Sequence, residues 1–298
     1  MEPQIRYVRT SDGVDIAYAA VGSGPPLLVL RQFMSPDVAA EVAEEPRWRA
    51  PWLDLAGHRT VVIWDCRGTG LSGPANTYTL ESGLLDMQAV IDELRARSFD
   101  IVAMLSPCHV AVAYAAGHPE RVNRMVLLNP GQPGGSMRFF SSDLPDIAAT
   151  HFRDYADLFA LRAFGWDRAE RARRLADFMA THYTGETWAR LNESIEAIDA
   201  TPLAASVATP SLVMIDLNAA NPRSVNPERQ PYMRRLAATI PNAQLSIIKK
   251  GDPRTYISLI DAFLGTGAPP APDGELPSGT AIILFADIVD STALTERL

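Results

Sequence analysis

Cysteine is nearly absent from the sequence, which contains only Cys66 and Cys108. Two cysteines provide neither a disulfide framework nor the ligand spacing of a metal site. Long apolar runs are missing as well, because no segment approaches the about eighteen consecutive apolar residues that a membrane span requires. Residues 1–13 lack the basic-then-apolar pattern of a secretory signal. These absences exclude disulfide-stabilised and membrane-spanning classes, and they predict a cytoplasmic protein.

Positive charge is scarce too. The chain carries 27 lysines and arginines against 35 aspartates and glutamates, a formal net charge of −8, and Lys249 and Lys250 are its only lysines. The basic residues are scattered, so we expect no nucleic-acid-binding surface. What is present is a chain of 298 residues that is 47% hydrophobic and 21% charged. This composition is typical of one large α/β domain or of two ordinary domains.

Short apolar runs alternate with helical patterns along most of the chain. Two weakly alternating segments around Ser11-Asp12-Gly13 predict a β-hairpin. An amphipathic helix is predicted over Leu80–Leu94, with Thr79 as its cap. Short continuous apolar runs predict buried parallel strands at Leu27–Leu30, Val61–Trp64, 100–104, Arg124–Leu128, Ser211–Ile215 and Gln244–Ile248. A hairpin followed by alternating strands and helices predicts a mostly parallel sheet with helices on both faces.

Three stretches carry a resemblance to a known family. The loop Asp65–Ser72 reads D-x-R-G-x-G-x-S, Tyr114–Val122 reads YAAGHPERV after a predicted sharp corner, and Pro210–Ile215 is a further predicted strand. In these stretches the chain resembles the α/β-hydrolases over about residues 5–264. The resemblance implies the α/β-hydrolase fold, an eight-stranded and mostly parallel sheet with helices on both faces. It also implies a helical lid over about residues 136–205.

The family places a catalytic serine in a G-x-S-x-G turn between a strand and a helix. Counting back from residues 118–122 puts Leu105 at the serine position and Ser106 one residue later. Deleting one helix residue would restore Ser106, but it would then lie between Met104 and Cys108, neither of which is the glycine that the turn requires. We therefore favour Ser106 as a helix N-cap over Ser106 as a nucleophile.

The base and the acid of the family's catalytic triad are also in question. The family's histidine follows the last strand, where this chain has Pro253, and the five histidines, at positions 58, 109, 118, 151 and 182, all precede the last two strands. A serine without a base is a poor nucleophile. His109 is predicted to lie on the helix after the corner, where a structural role is the more usual one. Asp216 is a candidate for the acid.

The loop after the first parallel strand departs from the family as well. The resemblance predicts a His-Gly pair there, and the chain has Arg31-Gln32, followed by Phe33. An arginine cannot shed its charge, so at the mouth of an apolar cleft it favours an anionic ligand. The alternative is a salt bridge to an acidic residue of the lid or of a loop. The residues predicted to contact a small apolar or anionic molecule, such as a lipid or a carboxylate, are Arg31, Gln32, Phe33, Leu105, Ser106, Cys108 and Asp216.

The C-terminal residues have a different character. Residues 265–279 are rich in proline and glycine and are predicted to be a linker. The segment Thr280–Thr292 resembles the opening of class III nucleotide cyclase domains, whose first aspartate, here Asp287, and following carbonyl, here of Ile288, ligate divalent metals. Hard oxygen ligands of this kind suit Mg²⁺ or Mn²⁺. The resemblance implies that residues 280–298 are the first strand and helix start of a truncated cyclase domain without activity; the alternative is an extra strand and helix.

These observations lead to three hypotheses. The first is that residues 1–264 are a non-catalytic ligand-sensing domain of a class III cyclase, with no cofactor of their own, in a full-length protein that works as a homodimer. The second is an active esterase-like or lipase-like hydrolase that uses Ser106 or Cys108. The third is a structural dimerisation domain whose pocket has collapsed.

Overall fold

The computed structural model describes residues 4–31, 37–42, 51–75, 78–134, 145–217, 230–248 and 253–265. All of them belong to a compact unit that spans Met1–Ala268. The predicted linker after Gly265 and the cyclase-like segment, including Asp287 and Ile288, lie outside the described residues. The predictions for that part of the chain remain predictions.

The described residues form an eight-stranded sheet with the order β1-β2-β4-β3-β5-β6-β7-β8. Strand β2 is antiparallel to both β1 and β4, and every pairing from β4 through β3 to β8 is parallel. The predicted hairpin and the mostly parallel sheet are therefore confirmed. The strands are β1 Arg6–Arg9, β2 Asp15–Gly22, β3 Pro26–Leu30, β4 Thr60–Trp64, β5 Phe99–Met104, β6 Val122–Leu128, β7 Ser211–Asp216 and β8 Ala243–Ile248.

Helices lie between the strands and flank the sheet. Four of the described helices, between Pro145 and Glu196, separate β6 from β7, within the stretch of about residues 136–205 where the resemblance predicts a helical lid. Short 3₁₀ turns occur at Pro51–Gly57, Trp166–Arg168 and Thr201–Ser206. The described helices are α1 Val38–Val42, α2 Leu80–Leu94, α3 Cys108–Gly117, α4 Pro145–Thr150, α5 Phe152–Phe164, α6 Ala169–His182, α7 Gly185–Glu196, α8 Gln230–Thr239 and α9 Pro253–Leu264.

The helix α2 shows how local sequence sets these elements. Its N-terminus carries a reciprocal capping box, in which the Thr79 side chain accepts a hydrogen bond from the Ser82 N–H and the Ser82 hydroxyl accepts one from the Thr79 N–H. The helix buries Met87, Val90 and Ile91 at helical spacing against the sheet. The predicted helix and its predicted cap are confirmed.

The core consists of two apolar layers, one on each face of the sheet. Successive residues of a strand point to opposite faces, so Leu28 of β3 belongs to the layer that contains α2, α3 and the lid helices, and Val29 belongs to the other layer. The lid side chains Tyr155, Phe159 and Trp188 are buried in the first of these layers. The helices between β6 and β7 therefore share one face of the sheet, and one continuous core, with α2 and α3.

Candidate functional site

The corner between β5 and α3 is centred on Leu105. Its φ of 56° is in the left-handed region, where a leucine is strained. Its N–H donates to the Leu128 carbonyl at 3.0 Å, and its carbonyl accepts from the N–H groups of Gly131 at 3.0 Å and Cys108 at 3.1 Å. A strained strand-to-helix turn is where the family holds its nucleophile. The backbone thus supports the register in which Leu105 occupies the serine position.

Ser106 does not cap the helix that follows. The N-cap residue of α3 is Pro107, whose backbone is already helical, with φ −55° and ψ −15°, and it makes no side-chain cap hydrogen bond. Backbone bonds close the first turn instead, because the Ser106 carbonyl accepts from the His109 N–H at 3.0 Å. The prediction of Ser106 as the N-cap is wrong, since the helix begins one residue later than the cap role requires.

The loop after β6 covers Ser106, which is 7% exposed. A Cβ atom at position 131 would lie 3.0 Å from the Ser106 nitrogen and 3.1 Å from its Oγ, so only glycine fits there without displacement. Asn129, two residues earlier, adopts a φ of 47°, a conformation that asparagine tolerates better than most residues. No pattern in the sequence predicts this role of Gly131 as a close support of the corner.

His109 is buried on α3, and both of its ring nitrogens contact backbone groups. Its Nδ1 accepts a hydrogen bond from the Ala200 N–H at 3.1 Å. Because an N–H can only donate, the proton of the neutral ring lies on Nε2, which is 2.8 Å from the Gly131 carbonyl oxygen and donates to it. Burial lowers the pKa of His109, which favours this neutral form. The ring joins α3 to the loop after β6 and to the end of the lid, in agreement with a structural role.

Cys108 occupies the first position of α3 and is buried. Its Sγ lies 3.9 Å from the Leu128 carbonyl oxygen. Burial raises the pKa of its thiol well above the ordinary value, so the thiol stays protonated. A cysteine nucleophile needs the opposite shift, toward the thiolate. The environment of Cys108 is that of a core cysteine.

Arg31 is 3% exposed and belongs to a buried group of charges. Its Nη1 lies 2.9 Å from Glu41 Oε1, and its Nη2 lies 2.6 Å from Asp65 Oδ1. The Arg31 Nη2 also donates to the Trp64 carbonyl at 2.9 Å. The structure thus shows the salt-bridge alternative, with one partner on α1 and the other in the D-x-R-G loop. Gln32 and Phe33 lie outside the described residues.

Asp65 also holds the start of α1 and a later residue of its own loop. Its Oδ1 accepts from the Val38 N–H at 3.0 Å, and its Oδ2 accepts from the Leu71 N–H at 2.9 Å. Burial raises the pKa of Asp65 and of Glu41, and the Arg31 charge opposes that rise in both. Asp65 has the additional backbone donors, so it is the carboxylate that the structure stabilises more strongly.

The arginine of the D-x-R-G loop lies in a second ion network. Arg67 donates to both Asp12 carboxylate oxygens, at 2.6 and 3.1 Å, and its Nε donates to the buried Asp86 at 2.9 Å. The hydrogen bonds from Arg67 lower the pKa of Asp12 to about 2. The loop that carries the family resemblance is therefore held to the β1–β2 turn and to α2.

Asp216 is the last residue of β7 and is half-buried. Its N–H donates to the Asn129 side-chain oxygen at 2.8 Å, and the Asn129 N–H donates to the Met214 carbonyl at 2.8 Å. This contact joins the carboxyl ends of β6 and β7, the edge of the sheet where ligands bind in such folds. The turn before Pro253, which begins α9, lies outside the described residues.

The structure thus brings together some of the predicted site residues and not others. Leu105, Ser106 and Cys108 form one corner with the loop after β6, and Asp216 lies at the same edge of the sheet. Arg31 is held by internal carboxylates. Among the described residues, no group of three or more histidine, cysteine, aspartate or glutamate side chains could hold a metal ion. None of the described helices is long and apolar enough to cross a membrane.

Comparison with solved structures gives the same fold. An enol-lactonase from Burkholderia xenovorans LB400 superimposes with a TM-score of 0.67 over 87% of this chain and 99% of its own, at 23% identity. A hydrolase from Pseudomonas aeruginosa PA01 superimposes with a TM-score of 0.69 over 88% of this chain and 98% of its own, at 21% identity. At these identities the likeness shows the fold alone.

Two curated relatives match parts of the sequence. A 2-hydroxy-6-oxononadienedioate/2-hydroxy-6-oxononatrienedioate hydrolase from Cupriavidus pinatubonensis is 34% identical over 28% of this chain and 30% of its own length. A second hydrolase of that name, from Pseudomonas putida, is 30% identical over 44% of this chain and 46% of its own length. The chain thus spans less than half the length of either relative. The model of the alpha/beta hydrolase family matches residues 23–272, and the chain belongs to that family.

Proposed function

We propose that the described domain binds a small molecule at the carboxyl edge of its sheet without hydrolysing it. The observation that carries this proposal is the φ of 56° at Leu105. A positive φ at this strand-to-helix turn supports Leu105 as the residue at the family's serine position, and a leucine side chain has no nucleophilic atom. The buried, protonated thiol of Cys108 and the backbone-bonded ring of His109 add to it, because neither group supplies an activated nucleophile or a base.

The ligand that we propose is a small apolar or anionic molecule. The helices between β6 and β7 bury an aromatic cluster, in which the Trp188 Nε1–H donates to the Tyr155 hydroxyl at 2.9 Å and the Phe159 ring packs edge-on against Trp188. A ligand with an apolar body suits a cleft next to such a cluster. The two curated relatives are named as hydrolases of dienedioates, which favours a carboxylate on the ligand. Glu41 and Asp65 already neutralise Arg31. We therefore propose that the carboxylate of the ligand contacts the corner and not Arg31.

The chain leaves the described domain at Leu264 and Gly265, and we propose that their contacts couple ligand binding to the segment that follows. The Arg59 Nη2 donates to the Gly265 carbonyl at 2.6 Å, and the Arg124 Nη1 donates to the Leu264 carbonyl at 2.8 Å. The other Arg59 amino group lies 2.6 Å from Asp100 Oδ2. Asp100 is in β5, whose last residue directly precedes Leu105, so about 17 Å of extended chain joins the corner to the residues Arg59, Asp100 and Arg124, which we call the exit clamp.

The segment beyond the exit clamp resembles the start of a class III cyclase domain. We therefore propose that ligand binding regulates such a domain in a full-length homodimer, and that Mg²⁺ or Mn²⁺ is needed by the complete cyclase domain alone. Residues 1–264 need no cofactor for ligand binding, and the proposal involves neither nucleic acid nor a membrane span.

The rival proposal is an active hydrolase that uses Ser106 or Cys108. The hydrolase names of the two curated relatives favour it. The environments of Cys108 and His109 oppose it. Labelling with a serine-directed or thiol-directed reagent separates the two proposals, because only an activated nucleophile forms an adduct rapidly.

Native mass spectrometry of the purified chain tests ligand binding directly. We expect a co-purified small molecule, whose release on denaturation leaves the unmodified protein mass. A matched pair of variants locates it: Leu105→Trp, which fills the corner, should abolish the bound mass, and Leu245→Trp on the edge strand β8 should retain it. Absence of any bound molecule, together with no thermal stabilisation by a panel of small carboxylates and fatty acids, would contradict the proposal.

A further inference from the structure

The end of the lid hairpin exposes a tryptophan. Helices α5 and α6 form an antiparallel pair, and the chain turns between them at Gly165, whose φ is 79°, and at the 3₁₀ turn Trp166–Arg168. Trp166 is 81% exposed, the most exposed of the large hydrophobic side chains in the described part of the chain. Burial of a tryptophan side chain contributes more free energy than burial of almost any smaller side chain, so the exposure of Trp166 at this turn favours a contact outside the domain.

Charge around this turn has the opposite sign to the charge of the whole chain. Between positions 162 and 174 the sequence carries five arginines against one aspartate and one glutamate, whereas the formal net charge of the protein is −8. Of these arginines, Arg168 and Arg173 are exposed. The five arginines are Arg162, Arg168, Arg171, Arg173 and Arg174. The segment 162–174 thus has a formal net charge of +3 (five arginines against two carboxylates) in an anionic protein.

Three of the four carboxylates of the two helices, Asp154, Asp157 and Asp177, lie away from the turn, whereas Glu170 lies in the first turn of α6 and pairs with Arg174. Arg153 of α5 pairs with Asp157, at 3.1 Å, and with Asp177 of α6, at 2.8 Å. Apart from Glu170 and Arg153, the carboxylates of the two helices therefore lie away from the turn and the arginines lie near it. This segregation gives an approaching anionic surface one preferred orientation, with the turn facing it.

We propose that the turn with Trp166 and its flanking arginines, which we call the hairpin tip, docks on an anionic phospholipid surface. Tryptophan prefers the boundary between headgroups and acyl chains, and each arginine near an anionic surface adds an electrostatic attraction. A convex tip with one aromatic side chain and a cationic border fits a fluid lipid interface better than it fits a protein, which would have to supply a complementary groove. The proposal concerns peripheral contact, and it does not depend on the proposed function of the corner.

Vesicle co-sedimentation of the full chain tests this docking. We expect binding to mixed phosphatidylcholine–phosphatidylglycerol vesicles at low ionic strength, weaker binding as salt is added, and little binding to pure phosphatidylcholine vesicles. Trp166→Ala should lower the partition coefficient about tenfold. The double variant Arg168→Glu/Arg173→Glu should lower binding to the anionic vesicles alone. Tyr7→Ala, which removes a 59% exposed aromatic from β1, is the matched control and should bind like the wild type.

Fluorescence places the contact at the tip. The difference between the emission spectra of the wild type and Trp166→Phe should shift to shorter wavelength when anionic vesicles are added. Equal binding by Trp166→Ala and the wild type would overturn the proposal, and so would no binding of the wild type at low salt. Self-association that Trp166→Ala abolishes, with no vesicle binding, would assign the tip to a second copy of the chain instead.

Discussion

The Nε2 atom of His109 lies 2.8 Å from the carbonyl oxygen of Gly131, and its N–H donates a hydrogen bond to that oxygen. The opposite nitrogen of the ring accepts from the Ala200 N–H. The histidine nearest to the corner thus links three segments of the fold through backbone groups. We infer that its contribution is to stability, and stability measurements can show this independently of any activity.

Removal of this ring should destabilise the domain. His109→Ala leaves the Gly131 carbonyl and the Ala200 N–H buried without the ring, and each such group costs about 1–3 kcal/mol. We expect a loss of about 2–4 kcal/mol in the free energy of unfolding, measured by urea denaturation. His118→Ala, at an exposed helix end, should change it by less than about 0.5 kcal/mol. Equal effects of the two variants would contradict the structural role of His109.

The loss of unfolding free energy in His109→Ala should depend on pH. An unperturbed histidine has a pKa of about 6.5, and burial lowers the pKa of His109 in the folded protein. The unfolded chain therefore binds the proton more readily, so the stability that this histidine contributes is complete above about pH 6.5 and is lost as the pH falls below it. The difference in unfolding free energy between wild type and His109→Ala should shrink on going from about pH 8 to about pH 5. A difference that grows toward acid pH would mean that the ring is charged in the fold.

Removal of the Asp100 carboxylate from the exit clamp, at the end of β5 opposite to the corner, should strongly lower the free energy of unfolding. Asp100 and Arg59 are each 1% exposed, so Asp100→Ala leaves a buried guanidinium without its carboxylate. We expect a loss of about 3–5 kcal/mol in unfolding free energy, with faster hydrogen exchange at Gly265. Asp15→Ala, which breaks an exposed pair with Arg9, should cost less than about 1 kcal/mol. If exchange at Gly265 stays unchanged in Asp100→Ala, the clamp does not hold the end of α9.

The backbone strain at Leu105 can be tested by replacing leucine with a β-branched residue. A β-branched residue tolerates a positive φ less well than leucine does. Leu105→Val should therefore lower the unfolding free energy by about 1–3 kcal/mol, more than the same change at the half-buried Leu84 of α2. Similar losses at the two positions would show that the strained residue is not Leu105.

The fold was predictable because its determinants are local. The apolar runs that become strands, and the spacing and cap of α2, are complete within windows of a few residues. The register of the corner could also be predicted by counting back from residues 118–122. The N-cap role of Ser106 was predicted incorrectly, because the backbone of Pro107 decides where α3 begins, and a preference of serine for caps does not report on it.

The contacts of the site were less predictable because they join distant segments. His109 contacts backbone atoms 22 and 91 residues away in sequence. Arg31 finds one partner on a short helix in a stretch of mixed pattern and another 34 residues away in the D-x-R-G loop. Partners that are distant in sequence leave no local pattern, so the neutralisation of Arg31 by carboxylates was one of two alternatives. The role of Gly131, which contacts backbone atoms, had no signal beyond its being a glycine.

The central proposal is that the corner holds no activated nucleophile, and covalent labelling tests it most directly. The purified wild-type chain and Ser106→Ala are each incubated with a fluorophosphonate and with a short-chain p-nitrophenyl ester. Intact-mass spectrometry and ester turnover are then measured on both. The proposal predicts no fluorophosphonate adduct on either protein and the same background turnover for both. A single adduct on Ser106 in the wild type, with ester turnover that Ser106→Ala abolishes, would contradict it.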